Sequence, residues 1–290
     1  MFERSARRAA LALALVTGAT TAAAGCATAQ SWRTINASRQ TQGEKALSVE
    51  VEYGAGKLTV APATGPLLYQ FAMRYDERQV TPLSSYDRRT GTLRLGMESR
   101  DRDRGIRLGK VDRESHADIH LTRDVPLDLN LQFGAGEAQF DLGGLSVRRL
   151  RVQTGASDTR LSFAAPNRIA AEEVRIEAGA ANFEVRGLGN TRAERFEFEG
   201  GLGSTTLDFS GAWDRSAAAS VKMGIGSLTL RIPRGLGVRI TKDSFLTSFD
   251  DSGLTKRGGA YYSRNWESAR HRLTIDVDAA MGSIDIDWID

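Results

Sequence analysis

The chain has 290 residues, 41% of them hydrophobic and 26% charged, which suits a globular protein with a sizeable core. Its formal net charge is +3, but three arginines against one glutamate in residues 1–25 account for two of those charges. The rest of the chain is therefore close to neutral. Nothing in this balance indicates the basic surface that nucleic-acid binding needs, so we expect no nucleic-acid partner.

Residues 1–25 have the composition of a secretory signal peptide. Arg4, Arg7 and Arg8 form a basic start, and Ala9 to Ala24 is an uncharged run of mainly small residues with a few leucines. The run is shorter and less apolar than a good membrane span. We therefore expect residues 1–25 to direct export and then to be removed.

Cys26, the only cysteine, follows this run directly. Ala23-Ala24-Gly25-Cys26 resembles the recognition sequence for bacterial lipoprotein processing, whereas Ala27-Thr28-Ala29 offers an ordinary A-x-A cleavage site. The first interpretation predicts lipidation of Cys26 and a membrane partner through the lipid anchor. The second predicts a soluble periplasmic or secreted protein, and an uncleaved anchor is a third alternative. Residues 26–46, polar and without periodicity, are interpreted as a tether.

A tripeptide of glycine, any residue and a small residue recurs through the rest of the chain. Its central residues 135, 156, 180, 202 and 225 lie 21, 24, 22 and 23 residues apart. Self-similarity at such a period is typical of repeat architectures. The copies are Gly54-Ala55-Gly56, Gly134-Ala135-Gly136, Gly155-Ala156-Ser157, Gly179-Ala180-Ala181, Gly201-Leu202-Gly203, Gly224-Ile225-Gly226 and the imperfect Ala280-Met281-Gly282.

The residues around each central residue alternate in polarity. The positions four and six before it, and three and five after it, are apolar in nearly every copy. Period-two alternation predicts a strand with one buried face on each side of a small-residue kink. The position three before the central residue is polar or charged in every copy: Glu52, Gln132, Gln153, Glu177, Glu199, Lys222 and Asp278.

Two all-β architectures can hold this pattern. In a right-handed parallel β-solenoid, each repeat of about 22 residues is one coil, and equivalent residues stack into ladders that keep their polarity from copy to copy. In an antiparallel β meander or sandwich, the tripeptide is a hairpin loop, which by itself does not preserve register over so many cycles. We predict the solenoid and keep the antiparallel arrangement as the alternative.

We expect one solenoid domain over residues 47–290. It divides into an N-terminal part (47–125), a repeat-dense core (126–234), an irregular insertion (235–272) and final strands (273–290). A mixed-charge loop, in which Arg and Asp alternate, covers 99–114.

The segments VEYGAGKLTV (51–60) and VPLDLNLQFGAGEAQFDLGGLSVRRLRVQTGAS (125–157) resemble the bacterial toast-rack family, a domain of unknown function. The chain is also distantly similar to the β-solenoid domains of cell-wall-active-antibiotics response proteins and of adhesin-like proteins. The resemblance covers roughly residues 48–288. It implies the fold and brings no functional residue with it. Relatives with membrane segments act in envelope-stress signalling, and this chain lacks such segments.

Residues that could perform a reaction are few. His116 and His120 have a spacing that suits a metal on a helix, but the alternation around them predicts a strand with two solvated side chains. The repeated glycines lack the third glycine and the helix of a dinucleotide site. We predict no catalytic, cofactor-binding or metal site, no cofactor and no enzyme activity. Aspartates near the C-terminus either protect the last edge of the solenoid or bind calcium: Asp276, Asp278, Asp285, Asp287 and Asp290.

Tyr261, Tyr262 and Trp266 are the candidate partner-contact residues. They lie in the segment that interrupts the repeat, and loop aromatics can stack on sugars or anchor a protein partner. They can equally cover the open end of a solenoid, which repeat proteins must cap.

These observations predict a non-catalytic cell-envelope protein, lipid-anchored through Cys26, that presents a β-solenoid to an envelope protein or a glycan. Two alternatives remain. The first is a sensor or accessory protein for envelope stress, acting through the loops at 99–114 and 235–272. The second is a carbohydrate-active enzyme with outward carboxylates near a basic residue, for which Glu177, Glu199 and Arg175 are the candidates.

Overall fold

The computed structural model describes residues 31–100 and 115–290, so Cys26 and most of the loop 99–114 lie outside the described residues. The strands of this part form one sheet, and one short 3-10 helix covers Leu188–Thr191. Among the described residues, none of the helices has the length and apolarity to span a bilayer. The strands are β1 (Trp32–Gln40), β2 (Leu47–Pro62), β3 (Leu67–Asp76), β4 (Val80–Asp87), β5 (Thr92–Ser99), β6 (His116–Leu121), β7 (Leu127–Asp141), β8 (Val147–Ser162), β9 (Glu173–Arg186), β10 (Arg195–Asp208), β11 (Ala217–Pro233), β12 (Gly237–Ser244), β13 (Thr247–Phe249), β14 (Leu254–Arg257), β15 (Ala260–Ser263) and β16 (Arg272–Ile289).

The long strands stack in parallel with their kinks in register. The order is β2-β7-β8-β9-β10-β11-β16, and each neighbouring pair is parallel. Ala55 lies opposite Ala135, Leu202 opposite Ile225, and Ile225 opposite Met281. This register confirms the solenoid and rules out the antiparallel meander for these coils, because hairpins would pair them antiparallel.

Each long strand bends at its tripeptide so that both halves face one core. Before the kink, the residues that face the core lie an even number of positions from the central residue, and after the kink they lie an odd number of positions from it. The alternation of buried and outward residues therefore shifts by one position at the kink. In β7, Leu131 and Phe133 are buried before the kink, and Ala138 and Phe140 after it. Gly136 supplies the bend with a φ of +113°, in the region that favours glycine.

The turns between coils close the core from a third side. Leu142 and Leu145, which follow β7, are fully buried in the same cluster as the strand residues, and Phe163 repeats this after β8. Each such side chain stabilises the fold by about 2 kcal/mol through burial of apolar surface. The core therefore runs the length of the stack.

The N-terminal end of the stack is covered by shorter strands, of which β5 and β6 pair in parallel with β2, whereas β3, β1 and β4 pair antiparallel with their neighbours. The first half of β2 pairs with β5 and its second half with β6, and β3 and β1 continue the sheet beyond β6. The predicted tether 26–46 is thus wrong over Trp32–Gln40, which forms β1. Ile35 and Ala37 pack against the core, and the Trp32 ring lies under the guanidinium of Arg74 at 4.8 Å. Few apolar side chains suffice to hold β1 in place, because its backbone hydrogen-bonds to β3 along its length.

The predicted irregular insertion 235–272 contains a further coil. β12 pairs in parallel with the first half of β16, and β13 pairs in parallel with its second half. Phe245 and Leu246, between β12 and β13, lie opposite the kink of β16. The coil precedes β16 in the sequence but is stacked outside it, and β15 and β14 extend the sheet from β12.

Candidate functional site: a groove and an apolar ridge along the kinks

A groove of about 970 Å³ crosses the long strands just before their kinks. It touches seven coils, which at the usual strand spacing of about 4.8 Å span roughly 29 Å. Its floor is formed by the glycines that precede the central residues, among them Gly134, Gly155 and Gly179. One wall is the ladder of polar residues three positions before each centre: Glu52, Gln132, Gln153, Glu177, Glu199, Lys222 and Asp278.

The floor is flat because side chains have no room there. A Cβ added at Gly134 would overlap the carbonyl oxygen of Gly54 in the neighbouring coil, and one at Gly155 would overlap that of Gly134. A ligand in the groove therefore meets backbone on the floor and polar side chains on the wall.

Glu177 lies in the centre of the wall. Its carboxylate accepts hydrogen bonds from Gln153 Nε2 at 2.8 Å, Arg175 Nε at 2.9 Å and Arg151 Nη2 at 3.0 Å. The Gln153 amide, followed by the Arg175 guanidinium, holds the pKa of Glu177 below its usual range. A general acid needs a raised pKa, so Glu177 is suited to holding a negative charge rather than to donating a proton.

The carboxylates near Glu177 are paired in the same way. Arg175 Nη1 donates to Glu197 at 3.0 Å, and its Nη2 lies 4.0 Å from Glu199. Lys222 Nζ lies 3.3 Å from the same oxygen that Arg175 approaches, Glu199 Oε1. The candidates Glu177, Glu199 and Arg175 are thus brought together, as ion pairs across the two neighbouring coils β9 and β10.

Tyr53 lines the β2 end of the groove, and its ring is buried. The ring stacks on Phe133 with centroids 6.2 Å apart, and the hydroxyl lies 2.9 Å from Ser115 Oγ. Burial raises the pKa of Tyr53 to about 12, so the phenol stays neutral. The buried ring therefore offers the groove no exposed aromatic surface.

The central residues of the kinks lie one position beyond the groove floor, and at one end of the stack they form an apolar ridge. We define the ridge as Leu202, Ile225, Met281, Leu246 and Phe245, which occupy the kinks of neighbouring coils. They are the five exposed large apolar side chains of the described residues. Leu202, Ile225 and Met281 are central residues of the repeat, but the repeat pattern alone does not indicate a role for them.

The candidate contact residues Tyr261, Tyr262 and Trp266 lie together beside β12. Tyr261 is buried, with its ring 4.8 Å from that of Phe249, so it belongs to the core. Tyr262 and Trp266 are half-buried with centroids 5.6 Å apart, and each also lies against an arginine. Only Tyr262 and Trp266 therefore keep surface for a partner, and their role in contact stays a prediction.

The remaining candidates do not converge on a metal. Within residues 31–100 and 115–290, no three His, Cys, Asp or Glu side chains are arranged to hold a metal ion. His116 and His120 lie four residues apart on the strand β6. The C-terminal aspartates are distributed along β16.

Residues 28–186 match a known family model, described as the N-terminal domain of toast_rack, DUF2154. A comparison with curated proteins finds no match. Two similar solved structures are a "putative cell adhesion protein" from Clostridium sporogenes and a "putative adhesin" from Bacteroides fragilis. The first is 14% identical with a TM-score of 0.47, covering 89% of this chain and 100% of that one. The second is 13% identical with a TM-score of 0.40, covering 89% and 98%.

Proposed function

Because the chain belongs to the toast-rack family, we propose that it is an exported, lipid-anchored, non-catalytic protein of the cell envelope whose solenoid serves as a binding surface. The groove is the observation that carries the binding role. One repeat position lines it in seven successive coils, so an elongated ligand meets a regular row of polar groups on a rigid sheet.

The position of Cys26 supports the anchor. It directly follows the signal-peptide pattern, and Trp32, the first residue of β1, is only six residues further on. Six residues of extended chain reach about 20 Å. A lipid on Cys26 would therefore keep Trp32 within about 20 Å of the bilayer surface.

Replacing Cys26 with alanine tests the anchor. We expect the wild-type chain, expressed in a bacterial host, to fractionate with membranes and to carry a mass increase of the size of a diacylglyceryl group. The Cys26→Ala chain should lose both, because the thioether to the lipid requires the cysteine sulfur.

Thr28→Ala is the matched control, since it changes a neighbouring residue and keeps Cys26; it should behave as wild type. A soluble wild-type chain that begins at Gln30 and is unchanged by Cys26→Ala would contradict the anchor and favour free export.

A further inference from the structure

Large apolar side chains are usually buried, but those of the ridge are exposed. At the β2 end of the stack, the central residues Ala55 and Ala135 are small, and they are 4% and 7% exposed. At the other end the same position holds Leu202, Ile225 and Met281, which are 54%, 50% and 45% exposed. Large apolar side chains thus occur where they contribute least to the core, which marks an interaction surface.

The last coil continues the ridge at a cost in backbone energy. Phe245 and Leu246 are 73% and 66% exposed, and they occupy the kink of the last coil in place of a glycine-containing tripeptide. Leu246 has a φ of +50°, a conformation that bulky residues seldom adopt. Such strain is found where function maintains it.

The stretches of chain that carry the ridge hold more acidic than basic residues. Within four positions of a ridge residue along the chain there are five carboxylates and two ammonium groups. The bases are Lys222 and Lys242. The acids are Glu199, Asp243, Asp250, Asp278 and Asp285. A partner that covers the ridge therefore needs apolar side chains in its centre and basic side chains beside them.

We propose that the ridge is the docking site for a basic amphipathic α-helix of a partner protein, which deepens the proposed binding function and rests on it. Neighbouring strands repeat at about 4.8 Å, and a helix presents apolar side chains at i, i+3, i+4 and i+7 with rises of about 4.5–6 Å. A bound strand would present same-face side chains about 6.8 Å apart, out of step with the ridge. A helix of about ten residues covers the four rungs from Leu202 to Leu246.

The residues beside the ridge admit a helix. Leu202 stands between Gly201 and Gly203, Ile225 between Gly224 and Gly226, and Met281 between Ala280 and Gly282. Small neighbours leave each apolar side chain free on both sides, so the helix can approach the strand backbone closely.

The same charges disfavour two other occupants. An anionic bilayer leaflet attracts basic surfaces, and the carboxylates around the ridge would be repelled by it. A second copy packed ridge to ridge would bring Asp243 and Asp278 of each chain toward those of the other, and like charges across an interface oppose association.

The test uses the Cys26→Ala chain, so that binding is measured independently of the anchor. The probes are a synthetic helical peptide of leucine and lysine, its counterpart with glutamate in place of lysine, and vesicles of phosphatidylcholine with and without phosphatidylglycerol. We expect the leucine–lysine peptide to bind, and the leucine–glutamate peptide to bind at least about tenfold more weakly.

Two variants locate the binding. Leu202→Thr/Ile225→Thr places β-branched strand formers at both positions and removes apolar ridge surface, and should weaken peptide binding at least about tenfold. Glu172→Gln, at an exposed carboxylate in the turn between β8 and β9, should leave it unchanged. Circular dichroism of both variants should match the parent chain.

Four results would overturn the proposal: no binding of the leucine–lysine peptide, equal binding of both peptides, equal binding by the double variant, or a ridge-dependent association with vesicles or between copies in place of peptide binding. If the peptide binds through the ridge while Cys26 proves unlipidated, only the anchor fails. If Cys26 is lipidated and the peptide does not bind, the anchor stands and the ridge proposal falls.

Discussion

Gly282→Ala is expected to lower the free energy of unfolding by about 3 kcal/mol or more. Gly282 has a φ of +139°, which alanine adopts only with strain, and an added Cβ would overlap the carbonyl oxygen of Gly226 in the adjacent strand. The overlap involves backbone on both sides, so relief requires the two coils to separate. Urea unfolding of the variant measures the loss.

Two matched glycine variants separate the causes of that loss. Gly134 lacks a positive φ, but its Cβ would overlap the carbonyl oxygen of Gly54, so Gly134→Ala should show the effect of close approach alone. Gly235 also lacks a positive φ and has nothing within 4 Å of an added Cβ, so Gly235→Ala should change stability by less than about 0.5 kcal/mol. A Gly282→Ala chain as stable as Gly235→Ala would show that the coils are not packed backbone to backbone at the kink.

Asn167→Ala is expected to cost about 3 kcal/mol, because a buried amide bridges two coils. Asn167 is 2% exposed; its Oδ1 accepts from the Val147 N–H at 2.8 Å, and its Nδ2 donates to the carbonyls of Val147 and Ile169, each at 2.7 Å. Alanine would leave these backbone groups without partners inside the protein, which costs far more than the loss of an exposed hydrogen bond.

Asn182→Ala is the matched control for Asn167→Ala. Asn182 is exposed, and its Oδ1 accepts one hydrogen bond from Ser204 Oγ at 3.0 Å. Its replacement should change the free energy of unfolding by less than about 0.5 kcal/mol. If both variants lose the same small amount, the bridge between the coils does not stabilise the stack.

The parallel coils could be predicted because their evidence is local in the sequence. The alternation around Ala135 or Ile225 specifies a strand, and the constant spacing of the kinks specifies which residues stack. The segments predicted as separate strands after 273 are instead the two halves of one strand, β16, as in the other coils.

Strand β1 and the coil of β12 and β13 were not predicted, for two different reasons. β1 has only Trp32, Ile35 and Ala37 as apolar signal, and its partner β3 is more than 25 residues away. The coil of β12 and β13 has Phe245-Leu246 in place of a glycine tripeptide and stacks outside a strand that follows it in the chain. Sequence periodicity does not report such out-of-order stacking.

The sequence predicts the groove wall but not the exposure of the ridge. The polar ladder that forms the groove wall follows from the alternation. The change of the central residue from alanine to Leu202, Ile225 and Met281 is also readable, but its exposure depends on how each strand bends at the kink. Tyr261 shows the converse, since an aromatic residue in an irregular segment proved to belong to the core.

The central claim is that the ridge side chains serve contact with a partner and not the stability of the coils. Its most direct test is the free energy of unfolding of a chain with Leu202→Thr, Ile225→Thr and Leu246→Gly. Exposed apolar side chains contribute little to the core, and glycine relieves the positive φ at position 246, so we predict a value within about 1 kcal/mol of wild type or above it. A loss of about 3 kcal/mol or more would contradict the claim and make the ridge a structural part of the solenoid.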